Sequence, residues 1–324
     1  MKIFATKILP EISKEIFIQN KIQIEEWNNE EPISKKDLIE ILPEFDGLMV
    51  MGTKIDEEIL NSAKRLKAIS LISVGFDNID ISTATKLGIP VSNTPEVLNE
   101  ATAEIAFLLM QNVSRKAFFN YKLMLDGKPK SGFMENLGID LNGKTLGIFG
   151  LGRIGFVMAE KCRNAFGMNV IYHNRSRNER AENDLKAQYV SFDELLENSD
   201  VLSIHSALTS ETGKLFGENA FQKMKNSSIL INTSRGKVVD ESALIEALQS
   251  GEIWGAGLDV SDPEPMSPEN PLLQMPNVAV LPHIGSATWE TRNAMGKLAA
   301  ENMVLALNGE KMKTPINPEV YIDH

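Results

Sequence analysis

At 324 residues, with 43% hydrophobic and 24% charged residues, the chain has the makeup of an ordinary water-soluble globular protein and the length of two domains. Its formal net charge of -11 argues against a surface built to hold nucleic acid or an anionic membrane, either of which needs a basic patch. The only cysteine, Cys162, excludes an intrachain disulfide, suits a reducing compartment, and reads as a small buried hydrophobe.

The amino terminus, MKIFATKILP, lacks the apolar core of a signal peptide, and no run of about 18 apolar residues suggests a membrane span. A cytoplasmic location is therefore expected. Lys2–Leu9 reads as a strand, and 34–42 as an amphipathic helix with Leu38, Ile41 and Leu42 on one side. Strands follow at 47–51, 67–74 and 90–93. Between them lie helices at 56–66, capped by Asp56, and at 80–87, closed by Gly88. Such alternation argues for a parallel sheet covered on both faces. One long helix is expected over 101–125; its first half is apolar on several faces and so is buried on more than one side.

From Lys144 a second alternation begins. Its key stretch is TLGIFGLGRIG, Thr145 to Gly155. The apolar run Leu146–Phe149 reads as a buried strand and 154–166 as a helix, with Gly150, Gly152 and Gly155 spelling G-x-G-x-x-G between them. That context is what a dinucleotide-binding turn requires. The first glycine allows the tight turn, the second lets backbone approach a pyrophosphate, and the third lets helix pack on strand. Free amides at the helix start then face the phosphates, aided by the helix dipole. Further strands are expected at 169–174, 201–206, 228–232, 255–260 and 277–281. A helix at 241–250 lies between Asp240 and Gly251, a proline-rich loop spans 263–271, and a terminal helix covers 288–307.

Three more motifs fall into line: NTSRG (232–236), DVSDPEP (259–265) and LPHIGSAT (281–288). Together with the glycine turn and the early SVGFDNID (73–80), the chain resembles the D-isomer-specific 2-hydroxyacid dehydrogenases over nearly its whole length. Within them it is most similar to the glyoxylate/hydroxypyruvate and 2-ketogluconate reductases. The resemblance implies an α/β fold of two doubly wound parallel-sheet domains. A Rossmann-type cofactor domain, 100–288, would be inserted into a flavodoxin-like substrate domain made of 1–99 and 289–324, with the active site in the cleft between them.

Reducing a 2-oxoacid requires a hydride from a nicotinamide, a proton for the ketone oxygen, and donors for the carboxylate. By resemblance His283 is the acid, an imidazole able to carry and release a proton at neutral pH. Glu264 would take the other ring nitrogen and stabilise the charged ring, held by Pro263 and Pro265. Arg235 would clamp the substrate carboxylate and polarise the ketone, and the backbone amides of Val74 and Gly75 would bind the same carboxylate. Singly, each of these side chains has an ordinary structural reading; assembled in family order they read as a catalytic set. His205 is open between a place near the nicotinamide and a satisfied strand-end histidine. The cofactor would be met by Thr102, Gly150, Gly152, Arg153, Ile154, Gly155, Asn174, Arg175, Ser176, Thr233, Asp259 and Gly285.

Where an NAD-preferring protein ends its second strand in an acid, this chain has Asn174, Arg175, Ser176 and Arg177, so NADP(H) is expected to be preferred and NAD(H) possible. Arg175 is the better reader of the extra phosphate, since Arg177 lies further round the turn. The sequence departs from family patterns in three places. Ala207 stands where many members have proline, Phe133 lies where many reductases carry a tryptophan, and Gly52-Thr53 lacks the arginine usual in phosphoglycerate dehydrogenases. The expected function is reduction of a small 2-oxoacid by a cytoplasmic homodimer, paired through the helix at 101–125. No metal, nucleic acid or membrane partner is expected. A D-lactate-type NAD-linked dehydrogenase and a dinucleotide-sensing interaction protein remain alternatives on the same scaffold.

Overall fold

In a computed structural model that describes residues 1–129 and 132–322, the chain divides into two compact units. One holds Met1–Leu98 and the residues from Ala287 onward; the other is Asn99–Ser286. Each carries its own parallel sheet.

In the first unit the elements run β1 (Lys2–Ala5), α1 (Glu11–Gln19), β2 (Gln23–Glu26), α2 (Lys35–Ile41), β3 (Gly47–Val50), α3 (Glu57–Ser62), β4 (Ala68–Leu71), α4 (Ile81–Lys86) and β5 (Val91–Ser92). The strands pair in the order β2-β1-β3-β4-β5, every pair parallel, which is the flavodoxin-like order. β3 and β4 are buried at every residue, as a sheet covered on both faces demands. Ser34, Asp56 and Asp80 cap α2, α3 and α4 by accepting from the amides of Asp37, Ile59 and Thr83, each cap worth about 1 kcal/mol. The C-terminal helix, Trp289–Leu307, packs back on α1 and β4. Its approach explains Gly47 and Gly296: a Cβ on the first would lie 2.5 Å from Met303 Sδ, and on the second 2.6 Å from Ser13 Oγ. The sequence reading passes over β2, a four-residue edge strand of sequence QIEE with alternating half-burial and no apolar run to mark it.

The second unit runs α5 (Asn99–Arg115), α6 (Ala117–Leu125), β6 (Thr145–Phe149), α7 (Arg153–Phe166), β7 (Asn169–His173), α8 (Glu179–Leu185), β8 (Gln188–Tyr189) and α9 (Phe192–Asn198). It continues through β9 (Val201–Ile204), α10 (Glu218–Phe221), β10 (Ile229–Asn232), α11 (Glu241–Ser250), β11 (Gly255–Leu258) and β12 (Val278–Val280). The order β8-β7-β6-β9-β10-β11-β12, all parallel, is the Rossmann order extended by a seventh strand. Alternate strand residues feed two apolar clusters. Leu146, Ile148, Cys162 and Tyr172 belong to one, and Leu202, Leu230, Phe221 and Leu258 to the other. Each fully buried side chain of this kind stabilises the fold by about 1.5–3 kcal/mol. Cys162 is among them, its thiol pushed up to about 12 by burial, so it is no nucleophile.

The single helix expected over 101–125 is two helices. The chain enters a left-handed conformation at Lys116 (φ 52°), where the Phe118 amide bonds Asn112 Oδ1 and a second helix starts. α5 packs on α7, β10 and β11, whereas α6 buries none of its residues within the chain. No helix among the described residues is long and apolar enough to cross a membrane.

Candidate active site

The strand order of the second sheet reverses between β6 and β9, and ligands of such sheets bind beyond the carboxyl ends of the strands at that point. The glycine turn sits there. Gly150 has φ +89°, and a Cβ on it would lie 2.7 Å from the Ser206 amide nitrogen, so no other residue fits. A Cβ on Gly155 would lie 3.0 Å from both the Gly150 carbonyl oxygen and Ile148 Cγ2, so its absence lets α7 lie close against β6. Gly152 faces open space: nothing lies within 4 Å of where its Cβ would be. No side chain caps α7, and its first turn carries Arg153 and Ile154, the latter packed into the core. Open space at an uncapped helix start is what a pyrophosphate needs.

Two buried hydroxyls near this turn, Ser206 Oγ and Thr233 Oγ1, have no hydrogen-bond partner among the described residues. Buried polar groups are rarely left so, and both stand just past strand ends on the ligand side, after β9 and β10. The groups present thus fit a dinucleotide. His205, just past β9, has its Nε2 2.8 Å from Ser203 Oγ, and burial pushes its imidazole down to about 4.

At the end of β7 the residues expected at the adenosine ribose have different fates. The Asn174 side chain is taken up by the glycine turn: its Oδ1 accepts from the Leu151 amide at 2.6 Å and its Nδ2 donates to the Leu151 carbonyl at 3.2 Å. Arg177 is committed to Glu182 through two bonds of 2.9 Å, and Tyr172 donates to the same carboxylate. Arg175 and Ser176 are exposed, and neither makes a side-chain bond among the described residues.

Arg235 follows β10 on a turn built by Asn232, a residue 1% exposed. The Asn232 Oδ1 accepts from the Ser234 amide and hydroxyl, and its Nδ2 donates to the Arg235 carbonyl at 2.9 Å. Next to it Gly236 has backbone in the place of a side chain: a Cβ would sit 2.0 Å from the Ser261 carbonyl oxygen. This approach brings the Arg235 turn against the loop carrying Glu264. The two proline bonds flanking Glu264 are cis.

Glu264 Oε1 lies 2.5 Å from His283 Nδ1. Burial raises the Glu264 carboxyl, but the bond from His283, the charge of that ring and that of Arg235 outweigh it and hold the group below its ordinary value. An ionised carboxylate can only accept, so Nδ1 carries a proton and Nε2 is the nitrogen free to deliver one. His283 itself is left-handed (φ 57°), a conformation costing a non-glycine residue about 1–2 kcal/mol. What holds it is Asp259, 1% exposed, whose carboxylate accepts from the next two amides, Ile284 at 2.8 Å and Gly285 at 2.7 Å. Burial raises the Asp259 carboxyl in spite of these donors. Gly285 packs between Asp259 and Thr102, which lie 3.0 and 3.4 Å from where its Cβ would be. Asp259, expected to meet the cofactor, thus spends both oxygens on the loop that presents His283.

Arg235, Glu264 and His283 are all in the second unit; Val74 and Gly75 are in the first, in the turn after β4. The sequence reading missed Asn232 and Gly236 as the makers of the Arg235 turn, although both stand inside the NTSRG motif. An Asn two residues before a Ser, followed by a Gly, was the available signal.

Residues 107–285 match the model of the D-isomer specific 2-hydroxyacid dehydrogenase NAD binding domain. A glyoxylate reductase of Korarchaeum cryptofilum is 42% identical over 98% of this chain and 96% of its own. Among solved structures, a glyoxylate reductase from Paecilomyes thermophila superposes with a TM-score of 0.87 at 35% identity, over 98% of this chain and 99% of that one. An NADPH-dependent glyoxylate/hydroxypyruvate reductase from Sinorhizobium meliloti, in complex with NADP and malonate, gives 0.84 at 30% identity over 97% and 96%.

Proposed function

The chain belongs to the D-isomer specific 2-hydroxyacid dehydrogenase family, and from that premise we propose that it reduces glyoxylate or hydroxypyruvate to the hydroxy acid, with NADPH preferred over NADH. It is an oxidoreductase with a nicotinamide dinucleotide cofactor and a small 2-oxoacid substrate. The observation that carries the reading is the 2.5 Å pair of His283 and the ionised Glu264, beside the Arg235 turn.

A dinucleotide held by the glycine turn would supply the hydride for the carbonyl carbon. His283 donates from Nε2 to the carbonyl oxygen as charge develops there, with Glu264 on Nδ1 keeping the ring oriented and balancing its positive charge. Arg235 holds the carboxylate and draws electron density from the carbonyl, and the Val74 and Gly75 amides add donors to the same carboxylate. The glycine turn would hold the pyrophosphate at the start of α7, and Thr233 and Ser206 would offer the hydroxyls that lack partners among the described residues.

Preference for NADPH is supported by the exposed Arg175 and Ser176 and by the absence of an acid at the end of β7. Small substrates are favoured because the turn at Gly52-Thr53 carries no arginine for a distal phosphate. A homodimer is supported by the apolar side chains that the chain leaves uncovered on α6 and just beyond it: Phe118, Tyr121, Met124, Leu125, and Phe133 at 93% exposure. A cytoplasmic location goes with this reading. The test is a panel of 2-oxoacids, including 3-phosphohydroxypyruvate, assayed with each dinucleotide. Glyoxylate and hydroxypyruvate should exceed the phosphorylated compound; efficient turnover of the latter overturns the substrate assignment.

A further inference from the structure

The turn after β4 presents amides, and it is held by groups that have no part in the reaction. The N–H groups of Val74 and Gly75 donate to no acceptor among the described residues, and both residues are half-buried. Their carbonyl partners are all engaged. The Ser73 carbonyl accepts from the Thr94 amide at 2.9 Å, and the Val74 carbonyl accepts from Asn93 Nδ2 at 2.8 Å. In a trans peptide the C=O and the following N–H point in opposite directions. Tying two successive carbonyls to the segment 93–94 therefore turns the N–H groups of Val74 and Gly75 away from that segment together. Two successive N–H groups aimed the same way form a concavity suited to a carboxylate oxygen. Ser73 Oγ closes the turn by donating to the Gly75 carbonyl at 2.8 Å.

Asn93 is itself fixed from behind. Thr314 Oγ1 donates to its carbonyl at 2.6 Å, and Thr314 is gripped by the fully buried Asn302 of the C-terminal helix. Asn302 Nδ2 donates to Thr314 Oγ1 at 2.8 Å, and its Oδ1 accepts from the amides of Lys313 and Thr314. Both ends of the Asn302 amide are thus used, and a satisfied buried polar network fixes one arrangement.

We infer that Asn93, backed by Thr314 and Asn302, is a positioning residue that aims the Val74 and Gly75 amides at the substrate carboxylate, with Ser73 as a second latch on the same turn. The inference rests on the proposed 2-oxoacid reductase reading. It adds that carboxylate affinity is set from residues that never touch substrate.

Asn93→Asp tests this, because it keeps the shape and replaces the donor with an acceptor facing the Val74 carbonyl. The KM for glyoxylate should rise about tenfold, the worth of one hydrogen bond to a charged group. The kcat at saturation and the dinucleotide Kd should stay within about twofold of wild type. The Kd of oxamate on the enzyme–dinucleotide complex, measured by calorimetry, should rise by the same factor as KM without any turnover being read. A merely structural Asn93 would instead lower the melting temperature and kcat with KM and oxamate affinity unchanged, and that result overturns the inference. If Asn93→Asp does not fold, Ser73→Ala removes the other latch and should move KM and the oxamate Kd in the same direction; unchanged values there also overturn it. A wild-type protein that neither reduces any 2-oxoacid nor binds oxamate would overturn the functional reading instead.

Discussion

The glycine turn and the His283 cluster lie in one unit yet reach their geometry by opposite means. At the turn, function comes from side chains left out. Gly150 and Gly155 have no room for a Cβ, and Gly152 leaves space where a ligand must come close. At the cluster, function comes from side chains that are held. Arg235 depends on Asn232, and His283 on Glu264 at its ring and Asp259 behind its backbone. A substitution in the first region should act by intrusion, and in the second by the loss of a specific bond.

The largest effect is expected at Arg235. Removing two charge-assisted bonds, at ~1.5–3 kcal/mol each, should lower kcat/KM for glyoxylate by about 10²- to 10⁴-fold in Arg235→Ala, chiefly through KM. An unchanged KM would take Arg235 out of the carboxylate site. The turn should show the reverse pattern. Gly150→Ala combines a left-handed φ, costing about 1–2 kcal/mol, with overpacking against Ser206 backbone, costing about 1–3 kcal/mol, and so should destabilise the protein measurably in urea. Gly152→Ala meets no atom of the described residues within 4 Å and should cost at most about 1 kcal/mol of urea stability, the difference between glycine and alanine at an N-cap, while weakening dinucleotide binding. Equal stability of the two variants would break the contrast.

His205, packed under the turn, adds a pH dependence to that region. Its folded value is pushed from 6.5 down to about 4 by burial, so the unfolded chain takes up a proton before the folded one does. The stability it contributes is complete above about pH 6.5 and is lost as pH falls toward 4, by at most about 3 kcal/mol at 1.36 kcal/mol per unit. Glu264, held below its ordinary value, loses its contribution only at lower pH, as pH falls through the carboxylate range. In His205→Gln the melting temperature should fall less between pH 6.5 and 4 than in wild type; parallel curves would mean that the ring titrates freely. The smallest effect belongs to Arg175. Arg175→Ala should reduce the preference for NADPH over NADH by about tenfold, one charge-assisted bond, whereas Arg177→Ala should change it little because that guanidinium is held by Glu182.

The same contrast explains what was legible in the sequence. Missing side chains leave a direct record: the three glycines between strand and helix locate the turn without any structure. Held side chains record only their presence. Arg235, Glu264 and His283 were visible as motif members, but the groups behind them were not, because their partners are close in space and not in order. Asp259 lies 25 residues from Ile284, the first amide it holds, so its anchoring of the His283 loop could not be read from the sequence. The fold followed the same rule. Buried strands such as β9 and β10 announce themselves as apolar runs, whereas the half-exposed edge strand β2 and the break at Lys116 depend on tertiary surroundings that periodicity does not carry.

The proton donor is the centre of the account, and His283→Ala tests it most directly, through glyoxylate-dependent oxidation of NADPH measured alongside the dinucleotide Kd. General acid catalysis contributes ~10²- to 10⁴-fold, so kcat should fall by that factor while the Kd stays within about twofold of wild type. A variant that keeps wild-type turnover within a few-fold would contradict the assignment of the proton to His283.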